Sequence, residues 1–141
     1  MTATAQASRL IPAEPSAVWE TLTSREGMKA YMMGADVDAE WRVGGRIAMR
    51  GEFNGKAYED HGEVRSFEPR RRLSYTHTSS AAPDQTHLVT IELRPSARGT
   101  EVRVTQAPGE VVDAEADAKN KSQYEKTWAA MLEGLEKAIE N

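Results

Sequence analysis

From residue 35 to residue 107 the chain alternates β-patterned segments with breaks too short to hold a helix. The segments are 35–42, 45–53, 56–67, 71–78, 85–94 and 99–107. The breaks between them carry turn chemistry: Val43-Gly44-Gly45, Asn54-Gly55, Phe67 to Arg70 around Pro69, Ser79 to Asp84, and Pro95 to Gly99. A parallel crossover needs roughly a dozen residues or more, so the sheet should be mostly antiparallel. Residues 5–11 (AQASRLI) add a first strand, ended by Pro12, which makes seven.

Helical signals occur in three other segments. "PSAVWETL" (15–22) starts with a proline suited to the first helical turn and puts Val18, Trp19 and Leu22 on one face. Ser24 can cap a second short helix through Tyr31, with Met28, Tyr31 and Met32 on its apolar side and Gly34 as its stop. Met28, Met32 and Met33 beside Gly34 suit either an adaptable pocket rim or a plain core-facing helix. From about Glu115 to Glu140, Tyr124, Trp128, Met131, Leu132, Leu135 and Ile139 recur at helical spacing. Gly134 inside this helix costs about 1 kcal/mol relative to Ala. Close approach of something bulky would account for it.

Charge fixes the register of two hairpins. A two-residue turn at Asn54-Gly55 sets Phe53 opposite Lys56, and therefore Arg50 opposite Glu59 and Arg46 opposite Glu63. Opposite charges then face each other on one side of the pair, which makes that side the wet one. Ile47, Met49, Gly51, Phe53, Tyr58, Asp60, Gly62 and Val64 fall on the other side. In the last hairpin, setting Leu93 opposite Val102 brings Arg94 to Glu101 and Glu92 to Arg103, and turns Val89, Ile91, Val102 and Val104 inward. The inner series of 71–78 is Leu73, Tyr75 and His77. A sheet with one dry face needs a cover, and the C-terminal helix has the matching stripe. The expected fold is α+β: a seven-stranded curved antiparallel sheet around a long C-terminal helix, with two short helices between the first two strands. Residues 1–141 form one domain, with 1–4 frayed. Trp19 and Trp41 read as core.

Composition removes several function classes. The chain has 141 residues, no cysteine and a net charge of −4. Disulfides, thiolate catalysis and Cys-ligated zinc are excluded, and a reducing, cytoplasmic setting is expected. The one basic run, Arg70-Arg71-Arg72, is too short for a nucleic-acid footprint. MTATAQASRL is not a signal peptide, and no apolar run is long enough to span a membrane. No G-x-S-x-G or phosphate-loop pattern occurs.

The stretches IPAEPSAVWETLT (11–23), WRVGGRI (41–47), GEVRSFEPRRRLSYTHT (62–78), VTIEL (89–93), GTEVRVTQ (99–106) and WAAMLEGLEKAI (128–139) carry a family likeness. The chain resembles the START-like (helix-grip, SRPBCC) superfamily and, within it, the Hsp90-ATPase-activator-homologue branch. That resemblance implies a cavity between sheet and long helix. It implies binding of lipids, hormones or polyketides in some members, cyclisation or dehydration in a few, and stimulation of the Hsp90 ATPase by the eukaryotic namesake. Without the cochaperone's extra N-terminal domain, it implies a stand-alone, bacterial-type domain.

One polar row stands out on the inner face. Pairing Val64 with Leu73 across the turn at Pro69 sets Gly62 opposite Tyr75 and Asp60 opposite His77. Setting Tyr75 opposite Val89 then brings His77 beside His87. Four roles are open to Asp60, His77 and His87: satisfying one another at the open end of the sheet, orienting a ligand, general-base catalysis by Asp60 and His77, or a two-His-one-carboxylate metal site. The expectation taken forward is a protein that binds a small hydrophobic or aromatic molecule, with no cofactor and no metal. Its ligand-binding set is Met28, Met32, Met49, Phe53, Tyr58, Asp60, Tyr75, His77, His87, Trp128 and Met131. The alternatives are a module that stimulates an Hsp90-type chaperone ATPase, and a cyclase- or dehydratase-like enzyme using Asp60 and His77. Oligomeric state is not fixed by the sequence.

Overall fold

A computed structural model describes residues 4–32, 34–53, 55–79, 86–108 and 114–140. Met33, Asn54, the Phe53 side chain, residues 1–3 and most of the Ser79–Asp84 loop lie outside the described residues, along with the expectations placed on them. The elements are β1 (Ala5–Ile11), α1 (Pro15–Thr23), α2 (Arg25–Tyr31), β2 (Asp36–Ala39), β3 (Arg46–Phe53), β4 (Lys56–Glu68), β5 (Arg72–Thr78), β6 (Thr86–Ser96), β7 (Gly99–Pro108) and α3 (Ala114–Glu140). The strands form one antiparallel sheet in the order β1-β7-β6-β5-β4-β3-β2, so β1 and β2 are its edges.

Local chemistry explains the boundaries. Pro15 opens α1, and Val18, Trp19 and Leu22 are buried beneath it. Ser24 ends α1 and caps α2, where its side chain accepts a hydrogen bond from the Gly27 N–H at 3.0 Å. Gly34 takes a left-handed φ of 86° and donates its N–H to the Lys29 carbonyl at 2.9 Å, closing the helix. The strand expected over 35–42 stops at Ala39. Beyond it the chain turns back, and the Trp41 indole donates to the Thr23 carbonyl at 2.8 Å. Trp41 and Trp19 both pack against Phe67, which ties α1 to the far end of the sheet.

Both hairpin registers are as charge predicted: Phe53 faces Lys56, Arg50 faces Glu59, Arg46 faces Glu63, Glu92 faces Arg103 and Arg94 faces Glu101. Of these opposed charges, Arg50 and Glu59 close to an ion pair, at 3.4 Å. Glu63 pairs with Arg65 along its own strand instead. Such exposed pairs contribute little stability; they report which face is wet.

The β4–β5 register differs from the expectation. Val64 faces Tyr75, not Leu73, and Leu73 faces Phe67. The cause is a bulge between Val64 and Ser66 that leaves exposed Arg65 as an extra residue in β4. The bulge switches strand parity, so Val64 and Phe67 can both turn inward. It also moves the partner of His77. With His61 opposite Thr78 and Val64 opposite Tyr75, the residue facing His77 is Gly62 rather than Asp60.

The long helix α3 does not lie over the middle of the sheet. It packs on β1 and β7 to one side and on α1 and α2 to the other. Ala5 and Ala7 on the inner face of β1 let it approach closely. Glu125 accepts a hydrogen bond from the Gln6 backbone N–H at 2.9 Å, and Glu136 pairs with Arg9 at 2.9 Å. Leu132 and Leu135 are buried and contribute about 1.5–3 kcal/mol each. At the α2 crossing, a Cβ on Gly134 would stand 3.4 Å from Tyr31 Cα, an ordinary contact. The expected close approach is there, and an alanine still fits.

Two glycines should therefore respond in opposite ways. Gly134→Ala should raise stability by up to about 1 kcal/mol. Gly62→Ala should lower it by about 3 kcal/mol, because its Cβ would overlap the Thr76 carbonyl oxygen. Urea denaturation measures both, and a reversal of the two signs would contradict the packing described.

Tyr31 and Tyr75 are 4% and 2% exposed. Burial pushes both phenols above their ordinary value, and for Tyr31 the neighbouring Tyr75 adds to the effect. An unfolded tyrosine ionises near pH ~10, where the folded chain still keeps these protons. Stability from this source is whole below about pH 10 and is lost as pH rises beyond it. Each phenol steepens the fall by about 1.4 kcal/mol per pH unit. Tyr75→Phe should flatten the slope by that share between roughly pH 10.5 and 11.5; equal slopes for the two proteins would contradict the burial effect.

Candidate functional site

Because α3 is held along β1, its side chains bridge to the inner face of the central strands and leave a cavity of about 430 Å³ between them. Met32 and Ala35 line it from the end of α2 and the segment after it. Met49, Tyr58, Asp60, Tyr75, Ser79, His77, His87, Val89 and Gln106 line it from the sheet side. Tyr124, Thr127, Trp128 and Met131 line it from α3. Tyr75, Val89 and Gln106 form one row across β5, β6 and β7. His77 and His87 form the next row, toward the strand ends.

The polar row assembles, by a route the sequence did not suggest. His77 Nε2 and Asp60 Oδ2 lie 3.0 Å apart, with the His77 side chain 29% exposed and that of Asp60 13%. They meet diagonally. Gly62, opposite His77, presents no side chain, so Asp60 two residues away reaches across. His87 sits directly across from His77 and meets the Tyr124 ring edge-on, with centroids 5.7 Å apart. Among the described residues no three His, Asp or Glu side chains are grouped so as to hold a metal ion.

The remaining polar groups are fixed by packing. The Trp128 indole N–H donates to Gln106 Oε1 at 2.8 Å, which ties the helix to β7 across the cavity. Tyr58 lies over its cross-strand partner Gly51, where any Cβ would come within 2.6 Å of the phenol oxygen. Desolvation first, and the nearby Asp60 second, hold the Tyr58 phenol above its ordinary value.

Of the candidates read from the sequence, Met32, Met49, Tyr58, Asp60, Tyr75, His77, His87, Trp128 and Met131 are brought together here. Met28 is not. It is 2% exposed and packs in the core one helical turn before Met32. The Phe53 side chain is outside the described residues. Ala35, Ser79, Val89, Gln106, Tyr124 and Thr127 join the lining without having been singled out. Gln106 had a usable signal, as a polar residue continuing the inward alternation of Val102 and Val104. Ala35 and Ser79 had none.

No helix among the described residues is long and apolar enough to cross a membrane. Among proteins with curated descriptions, none matches the chain. A Cytophaga hutchinsonii protein known from its solution structure is 38% identical over 98% of this chain and 94% of its own, with a TM-score of 0.78. A Mesorhizobium loti protein known from its crystal structure is 25% identical over 97% and 96%, also at 0.78. DynU16, a putative protein in the dynemicin biosynthetic locus, is 19% identical and matches 100% of this chain but 48% of its own, at 0.80. At that identity the likeness is one of fold alone. The family described as Activator of Hsp90 ATPase homolog 1-like protein matches residues 12–140, and the chain belongs to that family, on the helix-grip fold.

Proposed function

We propose that this protein binds a small apolar or aromatic molecule in the cavity between the sheet and α3. The observation that carries this reading is the cavity itself: about 430 Å³, with Met32, Met49, Val89, Trp128 and Met131 in its walls and Asp60, His77 and His87 gathered on adjacent strands. Ligand sites typically span about 300–1,000 Å³ and combine mostly apolar walls with a few placed polar groups. The three thioethers can adjust to different shapes. Asp60, His77 and Tyr58 would orient the ligand's polar end. The absence of cysteine fits a cytoplasmic setting.

Two other readings have narrower support. The family's description supports an interaction module acting on a chaperone ATPase. A pull-down and ATPase assay with the cell's own Hsp90 homologue tests it, and no change in turnover rules it out. The 3.0 Å contact of Asp60 with His77 supports a cyclase- or dehydratase-like enzyme. In that case His77→Ala abolishes turnover and leaves the fold intact.

A neutral aromatic dye such as Nile red should bind with a Kd on the order of 10 µM, from about −0.3 kcal/mol per ligand atom. Met131→Trp, which fills the cavity from α3, should weaken binding about tenfold or more and leave the thermal midpoint within a few degrees. Fluorescence titration reads both. A wild-type protein that takes up no dye, or a Met131→Trp protein that binds it as well, contradicts the reading.

A further inference from the structure

Tyr75 lines the cavity and is 2% exposed, yet its hydroxyl makes no hydrogen bond with any described residue. Three other aromatic donors of the interior are engaged. Tyr31 donates to the Leu22 carbonyl at 2.8 Å, Trp41 to the Thr23 carbonyl, and Trp128 to Gln106. No side-chain nitrogen or oxygen among the described residues is both sealed from the surroundings and unpartnered. The Tyr75 oxygen must therefore open onto the cavity. An unpaired hydroxyl in such surroundings costs stability, and phenylalanine would fill the same space without it.

Gln106 narrows the chemistry. Only an amide oxygen can accept from the Trp128 indole, so that bond fixes the orientation of the side chain and leaves its NH2 as the free end. Gln106 shares a row with Tyr75, with short Val89 between them. A phenol is also a better donor than acceptor. The acceptor Asp60 is engaged by His77 at the other row. What the apolar part of the cavity has left to offer is hydrogen-bond donors.

We propose that the ligand presents a hydrogen-bond acceptor, a carbonyl oxygen on an otherwise apolar aromatic or alicyclic frame, to the Tyr75 hydroxyl, with the Gln106 amide as second donor. This rests on the binding reading above and adds a specificity to it. Tyr75 separates carbonyl compounds from hydrocarbons of the same shape.

A matched pair of probes tests it: 2-acetylnaphthalene, and 2-isopropenylnaphthalene, in which a CH2 group replaces the carbonyl oxygen. Affinities for wild type and Tyr75→Phe are read by quenching of tryptophan fluorescence. Tyr75→Phe should weaken the ketone about tenfold, the effect of one hydrogen bond, and leave the alkene unchanged or tighter. The variant's thermal midpoint should equal or exceed the wild type's. Equal losses for both probes, or no loss, overturn the proposal and leave cavity binding standing. A variant several degrees less stable overturns it too, since the hydroxyl would then have a structural partner. If neither probe binds the wild type, the binding reading falls and this inference falls with it.

Discussion

The placement of α3 against the edge strand β1 sets the geometry of everything else. Small residues on β1, Ala5 and Ala7, let the helix settle close. Glu125 takes the otherwise unpaired Gln6 N–H of the sheet edge, and Glu136 takes Arg9. The Arg9 side chain is 40% exposed, so that ion pair adds little energy; its value lies in fixing where the helix sits. With α2 against its other flank at Gly134, α3 is held at both sides. The curved sheet is left to fall away beneath it. The cavity is thus a consequence of how the cover is attached to the sheet.

That geometry also sorts polar from apolar. The row of Tyr75, Val89 and Gln106 meets the indole of Trp128 at Gln106, and the row of His77 and His87 is the next one, toward the strand ends. Burying a polar group without a partner is costly, and most polar groups here meet that cost with a neighbour. Asp60 and His77 satisfy each other, and Gln106 satisfies the indole. The Tyr75 hydroxyl has no such neighbour among the described residues although the residue is 2% exposed, so structure alone gives little reason for a tyrosine there.

Element order, helix caps and both charge-marked hairpins were legible in the sequence, because each rests on local rules: turn dipeptides, period-2 alternation and opposed charges. The β4–β5 register was not. A bulge at Arg65 costs nothing visible in the pattern, since an exposed arginine between Val64 and Ser66 looks like ordinary alternation. The Asp60–His77 contact was anticipated, but as a direct pair; the structure makes it diagonally through the gap left by Gly62. Met28 and Met32 show a second limit. Helical spacing puts both on the inward side of α2, but it cannot tell a residue facing the core from one facing a cavity one turn later. Gln106 was passed over because it extends an apolar series by one polar step.

On the proposed function, the space bounded by Met32, Met49 and Met131 takes up a small apolar molecule while the neighbouring core stays closed. Methionine methyl NMR on 13C-methyl-labelled protein tests this most directly, with signals assigned by single substitution. Titration with a neutral aromatic compound should move the Met32, Met49 and Met131 methyl resonances and leave Met28 in place, since Met28 packs in the same core but does not line the cavity. Resonances that do not move at saturating compound, or a Met28 signal that moves as far as the other three, would contradict the account.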